Sequence, residues 1–302
     1  IICVMATNVG SAGTMLGNPV GILIGSRAGL TFEDFMIWSF PVMLLSLTVT
    51  VALLMVWYRK DIRQLSERMA QRRGHALPLG PTVTVPFKRG LPLICGTIGL
   101  VALHHRIELW LDLETNTVLY MAPLVAAGIV MIWRRERARH YIEQDVEWWT
   151  LIFFLMLFGV AGTLQYTEVT TEIAFSLTRL LGDQTSILVP AVMAISAIGS
   201  AFIDNVIFVA AFIPVIQELV GESATVHPLW WALLFGACFG GNITMIGSTA
   251  NIVALGMLEK RYRTRIHFLE WFRVGLAAGF VAGFVAWLAL LVTGPFMLAG
   301  SS

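Results

Sequence analysis

The run GGNITMIGSTANI, residues 240–252, sets glycines, hydroxyls and two asparagines in the middle of an apolar stretch. A near copy, GSAGTMLGNPVGI, occupies residues 10–22. At a constant offset of 230, Gly10 pairs with Gly240, Thr14 with Thr244, Met15 with Met245, Gly17 with Gly247 and Ile22 with Ile252. Downstream, LTFEDF (30–35) resembles IHFLEW (266–271), and an apolar span follows each. The unit of interrupted apolar helix, amphipathic linker and spanning helix therefore occurs twice. Glycines, and Pro19 in the first copy, disfavour a continuous helix through either run. Unwound backbone at membrane depth is tolerated only where it is buried in protein or lines a cavity. Paired interruptions of this kind point to the binding site of a secondary transporter. Packing of small residues between helices accounts for Gly240 and Gly247, but not for Asn242 and Asn251.

Composition supplies the membrane. Of 302 residues, 57% are hydrophobic and 13% charged, against about 25% charged in an ordinary soluble domain. Apolar runs at Ile37–Tyr58, Trp148–Leu164 and Val274–Thr293 approach or reach the length of a bilayer-spanning helix, and shorter ones lie at Leu91–Leu103 and Val118–Trp133. The expected fold is an all-α polytopic membrane protein. Its expected organisation is an inverted-repeat transporter with a re-entrant hairpin and broken helices.

Charge position says more than the net charge of +1. Seventeen of the 20 Lys and Arg fall in three clusters. The first is Arg59, Lys60, Arg63, Arg68, Arg72, Arg73, Lys88 and Arg89. The second is Arg134, Arg135, Arg137 and Arg139, and the third Lys260, Arg261, Arg263, Arg265 and Arg273. Basic loops stay on the cytoplasmic side, which orients the chain in a bacterial cytoplasmic membrane. The clusters abut spans and lack interleaved aromatics, so nucleic acid is not an expected partner. Cys3, Cys95 and Cys238 are scattered and suggest neither a disulfide framework nor a zinc site.

The layout read from these signals has four parts. Residues 1–58 are the end of a first repeat, 59–90 a basic cytoplasmic loop, and 91–146 two linking spans with a basic loop. Residues 147–302 are a second repeat: a span, a re-entrant hairpin at about 185–220, a broken helix at about 229–258, and a last span at 273–293. The chain opens at Ile1 inside an apolar run, and the repeat logic expects about 80 to 90 residues of the first repeat before it. On that expectation the chain is N-terminally incomplete and does not transport alone.

The hairpin is read from SAFIDN, residues 200–205, which places Ser200, Asp204 and Asn205 between two uncharged arms. The arms, Ile187–Gly199 and Val206–Val220, are shorter than comfortable spans. An ionisable residue in such a place marks function by default. Asp204 suits a hard cation such as Na⁺, since carboxylate and amide oxygens are hard ligands. Desolvated carboxylates also hold protons more tightly, which suits proton exchange. Alternatively, Asp204 caps the second arm by accepting from its backbone. The breaks add Thr14, Asn18, Asn242, Thr244, Ser248 and Asn251 as ion- or substrate-binding candidates. Glu143, Asp145 and Glu147 read as a solvated helix start, and Glu168 and Glu172 as part of an interfacial segment.

The segments ATNVGSAGTMLGNP, VEWWTLIFFLMLFGVAGTLQYTEV, SAFIDNVIFVAAFIP and GACFGGNITMIGSTANIV resemble the ArsB/NhaD branch of the ion transporter superfamily. That branch comprises arsenite permeases, Na⁺/H⁺ antiporters and pink-eyed-dilution proteins, within the wider citrate-transporter-like domain. The resemblance runs from residue 6 to about 293, in matching order. It implies an inverted repeat that moves substrate by an elevator-like step, in a homodimer. It places Ser200, Asp204 and Asn205 at a hairpin tip and Asn242, Thr244, Ser248 and Asn251 in the second break. One departure from the family pattern matters. Where relatives read GDPPN, it has Gly17, Asn18, Pro19, Val20 and Gly21, so the first half-site lacks a charge and an amide.

The expected function is secondary active transport of an inorganic ion, by Na⁺/H⁺ antiport or arsenite-type efflux. No cofactor is implied beyond Na⁺ or H⁺ as coupling ion, and the partners are the bilayer and a small solute. The alternative is cation-coupled transport of a di- or tricarboxylate such as citrate. The core offers no Lys or Arg for a tricarboxylate; Arg27 and Arg179 lie near span ends. Arsenite would be drawn to thiols, and only Cys238 lies near a break. An intramembrane enzyme would need a paired catalytic set; His104 and His105 are adjacent, with no HExxH.

Overall fold

The computed structural model describes residues 1–71, 87–114, 116–146, 148–182, 184–221, 227–263 and 265–299. Arg72 and Arg73 of the first basic cluster, and Glu147, lie outside the described residues. Every regular element described is a helix. Among the described residues, three helices are long and apolar enough to cross a membrane, Phe32–Trp57, Thr185–Phe202 and Phe268–Leu298, or four spans if a bent pair is counted as one. The chain is an all-α polytopic membrane protein.

It divides into two compact units, one of Ile1–Leu54 with Trp149–Ser302 and one of Met55–Trp148. The first unit opens with α1 (Ile2–Gly10), a 3₁₀ turn at Ser11–Gly13, and α2 (Pro19–Ala28). Gly29 ends α2 in the left-handed region at φ 68°, where a glycine carries no Cβ penalty. Thr31 and Asp34 then form a capping box that starts α3 (Phe32–Asp34). A π turn at Phe35–Ser39 leads into α4 (Phe40–Trp57).

The second unit holds α5 (Arg59–Gln71), α6 (Phe87–Ala102), α7 (His104–Leu111), α8 (Thr117–Trp133) and α9 (Arg135–His140). The start of the expected basic loop is thus helical. Its residues are good helix formers, and Arg63 and Glu67 pair at 3.1 Å one turn apart. The helices Gly90–Ala102 and His104–Leu111 meet at a 68° bend. Beyond it, buried Glu108 accepts from the backbone N–H groups of Asn116 (3.0 Å) and Val118 (2.8 Å), fixing the start of α8.

The first unit resumes with α10 (Trp148–Tyr166), α11 (Val169–Leu181), α12 (Thr185–Phe202), α13 (Asn205–Val220), α14 (Pro228–Gly240), α15 (Thr249–Tyr262) and α16 (Phe268–Ala299). The sequence gives the first hairpin arm thirteen residues, but α12 has 18. The helix extends over Thr185 and Ser186 at one end and Ser200 to Phe202 at the other, because continuing the backbone hydrogen bonds costs less than exposing them to an apolar medium.

The centre of this unit is α14, every residue of which is buried. It packs between α12 and α16. The approach is close because it runs through small residues. A Cβ on Gly240 would lie 2.4 Å from Ala197 Cα of α12, and one on Gly275 of α16 would lie 2.1 Å from the Asn242 carbonyl. Trp231 of α14 meets Phe35 edge-on at 5.0 Å. The outer faces of α4 and α16 expose Leu44, Leu45, Phe280 and Val292, as lipid-facing helices do.

Candidate functional site

The two interruptions have the same construction. In the first, α1 ends at Gly10, and Asn18, in extended conformation (φ −160°, ψ 169°), caps α2 by accepting from Gly21 N–H at 2.8 Å. In the second, α14 ends at Gly240, and Ser248, also extended (φ −152°, ψ 140°), caps α15 by accepting from Ala250 N–H at 3.2 Å. Asn18 and Ser248 are partners at the offset of 230. A side chain that accepts locally offers the backbone a partner while the helix is open.

Asn242 and Asn251 are fully buried, and their amide oxygens converge on one donor. Asn8 of α1 donates through Nδ2 to Asn242 Oδ1 and to Asn251 Oδ1, both at 2.8 Å. Asn8 Oδ1 in turn accepts from Ser248 Oγ at 3.0 Å. Asn242 Nδ2 donates to Met5 O (3.2 Å), and Asn251 Nδ2 to Gly241 O (2.7 Å) and Thr244 O (2.9 Å). Trp271 Nε1 of α16 donates to Asn242 O at 3.0 Å. Every amide group here has a partner inside the protein, which is what a buried polar cluster needs to be stable.

The hairpin tip also meets the second break. Ser200 Oγ donates to Ala237 O at 2.7 Å, and Thr244 Oγ1 donates to Ala201 O. Asp204 is half-buried. Its Oδ1 accepts from Val206 N–H at 3.0 Å, so it caps α13. Its Oδ2 accepts from Thr249 Oγ1 at 2.6 Å, so the same carboxylate is tied to the start of α15. Asn205 is buried at the first position of α13.

The structure therefore gathers Ser200, Asp204, Thr244 and the start of α15 at the hairpin tip, and Asn242, Ser248 and Asn251 around Asn8, with Thr244 O, which accepts from Asn251 Nδ2, joining the two groups. Thr14 and Asn18 belong to the first break. Asn18 Nδ2 donates to Ser11 Oγ (2.8 Å) and to Cys238 Sγ of α14 (3.1 Å), and Thr14 accepts from Gly17 N–H through its carbonyl (3.0 Å). Gly21, where the family pattern has an asparagine, has no room for one: a Cβ there would lie 2.7 Å from Met15 O.

Sequence reasoning missed Asn8, Ser11 and Thr249. An amide inside the apolar run ICVMATNVG is the same signal that singles out Asp204, so Asn8 was open to discovery. Thr249 was not, because the repeat aligns it with Pro19, which offers no side-chain ligand.

The hairpin tip (200–205) and the two breaks (10–22 and 240–252) contain no Lys or Arg, and Asp204 is their one charged residue. Two helix C-termini, of α1 and α14, present carbonyl ends at the breaks; two N-termini, of α2 and α15, present amide ends. Such ends favour cations and anions respectively. Residues 1–236 match the family described as citrate transporter. The chain belongs to the citrate transporter family. A 46 kDa membrane protein of Mycobacterium leprae is 33% identical over 310 residues, 96% of this chain and 67% of its own length. An uncharacterized transporter of Mycobacterium tuberculosis is 35% identical over 279 residues, 90% of this chain, which spans 62% of that relative. The human P protein is 37% identical over 169 residues, half of this chain and 19% of its own length.

Proposed function

We propose that the full-length protein is a secondary active transporter of an inorganic ion, working by alternating access with a coupling cation at Asp204. The observation that carries this reading is the Asp204 carboxylate. It is the sole charge of the hairpin tip and the two breaks, and Thr249 ties it to the start of α15. A hard cation would meet a carboxylate and a hydroxyl there, with hairpin and helix start free to move together around it. Coupling of Na⁺ entry at this site to outward movement of H⁺ would be Na⁺/H⁺ antiport. The reading also places the basic clusters in the cytoplasm, makes the hairpin re-entrant and makes the protein a homodimer.

A second reading, cation-coupled carboxylate transport, is favoured by the family description and by the N-termini of α2 and α15, which could hold a carboxylate without Lys or Arg. Arsenite-type efflux draws less support, since Cys238 is buried and already engaged by Asn18.

Everted vesicles carrying the full-length protein separate these readings. A Na⁺ pulse should discharge an imposed pH gradient in the wild type and not in Asp204→Asn. If Na⁺ does nothing in tight vesicles while citrate uptake follows a Na⁺ or H⁺ gradient, the carboxylate reading replaces the first.

A further inference from the structure

The repeat offset makes one pair of bonds equivalent. Adding 230 to Asn18 gives Ser248, and to Asn8 gives Cys238. The hydrogen bond from Ser248 Oγ to Asn8 Oδ1 (3.0 Å) therefore has a counterpart in the bond from Asn18 Nδ2 to Cys238 Sγ (3.1 Å). In each case the residue that caps one repeat's second half-helix donates to the first half-helix of the other repeat. All four side chains are buried or half-buried.

The two bonds differ in strength for reasons visible in the alignment. Asn8 is an amide, and its N–H groups need acceptors; Asn242 and Asn251 supply them. The counterparts of those two residues are Ala12 and Gly21, which offer no side-chain acceptor. An amide at 238 would leave its N–H groups unmet, whereas a thiol carries only one weak S–H donor. The second break thus has an amide hub with three side-chain bonds; in the first, Asn18 reaches the other repeat only through sulfur, a weak acceptor, while its remaining bond goes to Ser11 of its own repeat.

We propose that Asn8 and Cys238 are matched positioning residues, each holding the capped start of the other repeat's second half-helix, and that the Cys238 link is the one that opens first. The consequence is an order of motion: the start of α2 loosens before the start of α15. This does not depend on which solute is carried.

Hydrogen–deuterium exchange on the full-length protein in detergent, with readouts at the Gly21 and Ala250 segments, tests it. The Gly21 segment should exchange faster than the Ala250 segment in the wild type. Cys238→Ala should speed exchange at Gly21 by about tenfold, and Cys238→Ser, which gives Asn18 a better acceptor, should slow it by about threefold. Neither variant should alter exchange at Ala250 to the same degree, whereas Ser248→Ala should act there and Ser248→Thr should restore it. A residue that merely fills space would respond to both Cys238 variants in the same direction. That result, or an Ala250 segment that exchanges first, overturns the proposal. Alkylation of Cys238 by N-ethylmaleimide, read by peptide mass spectrometry, is the second measurement: Asn18→Ala should accelerate it, and an unchanged rate would count against the link.

Discussion

At the scale of single residues, the chemistry is concentrated in amides and one carboxylate. Asn8 is 3% exposed and satisfies two amide oxygens and one hydroxyl. Replacing it with alanine leaves Asn242 Oδ1 and Asn251 Oδ1 buried without donors, at roughly 1–3 kcal/mol for each. Asn8→Ala in the full-length protein should lower the midpoint of thermal unfolding in detergent far more than Thr7→Ala one position earlier, whose hydroxyl bonds only its own helix at Cys3 O. Asp204→Asn keeps an oxygen that can accept from Val206 N–H, so it should remove the charge while sparing the cap. Loss of transport in that variant with intact folding would therefore speak to charge and not to structure. Asp204 and the break asparagines were legible as polar groups in oil. That Asn242 and Asn251 share one donor was not, because Asn8 lies 234 residues from one and 243 from the other.

At the scale of elements, α14 depends on its ends and on its small residues. His227 caps it, with Nδ1 accepting from Leu229 N–H at 3.2 Å, a role that needs an unprotonated ring nitrogen. Burial lowers the His227 pKa from 6.5 to about 4. Between those values the unfolded chain binds a proton that the folded one does not, so the cap's contribution is present above pH 6.5 and is lost as pH falls toward 4. Thermal unfolding midpoints measured across that window should fall with pH, and His227→Asn should flatten the slope. Gly240→Val tests the contact with α12. The added side chain has no room against Ala197, so α12 must move and the variant should give markedly less folded protein by size-exclusion chromatography. Gly240 was legible as a packing glycine from the sequence. The 18-residue length of α12 was not, since serines mark neither a helix end nor its continuation in an apolar medium.

At the scale of the whole molecule, the membrane orders the fold. The long apolar helices, the exposed aliphatic faces and the glycine-rich breaks all follow from a solvent that cannot satisfy backbone groups. We propose that the second basic cluster faces the cytoplasm. Arg137→Cys in the full-length protein should then react with a membrane-impermeant maleimide in everted vesicles and not in intact cells; the reverse pattern would invert the topology. The sequence by itself determined the all-α membrane class, the repeat and the two places where helices break, because period, hydropathy and glycine content are local properties. Only the tertiary structure decided which polar side chains meet: Asn8 with Asn242 and Asn251, Asn18 with Cys238, Asp204 with Thr249. Each of those pairs joins residues far apart in the chain; in the Asn8 cluster the buried donors must find acceptors wherever the packed helices bring them within reach, while Thr249, exposed at the start of α15, meets Asp204 because the hairpin tip is packed beside it.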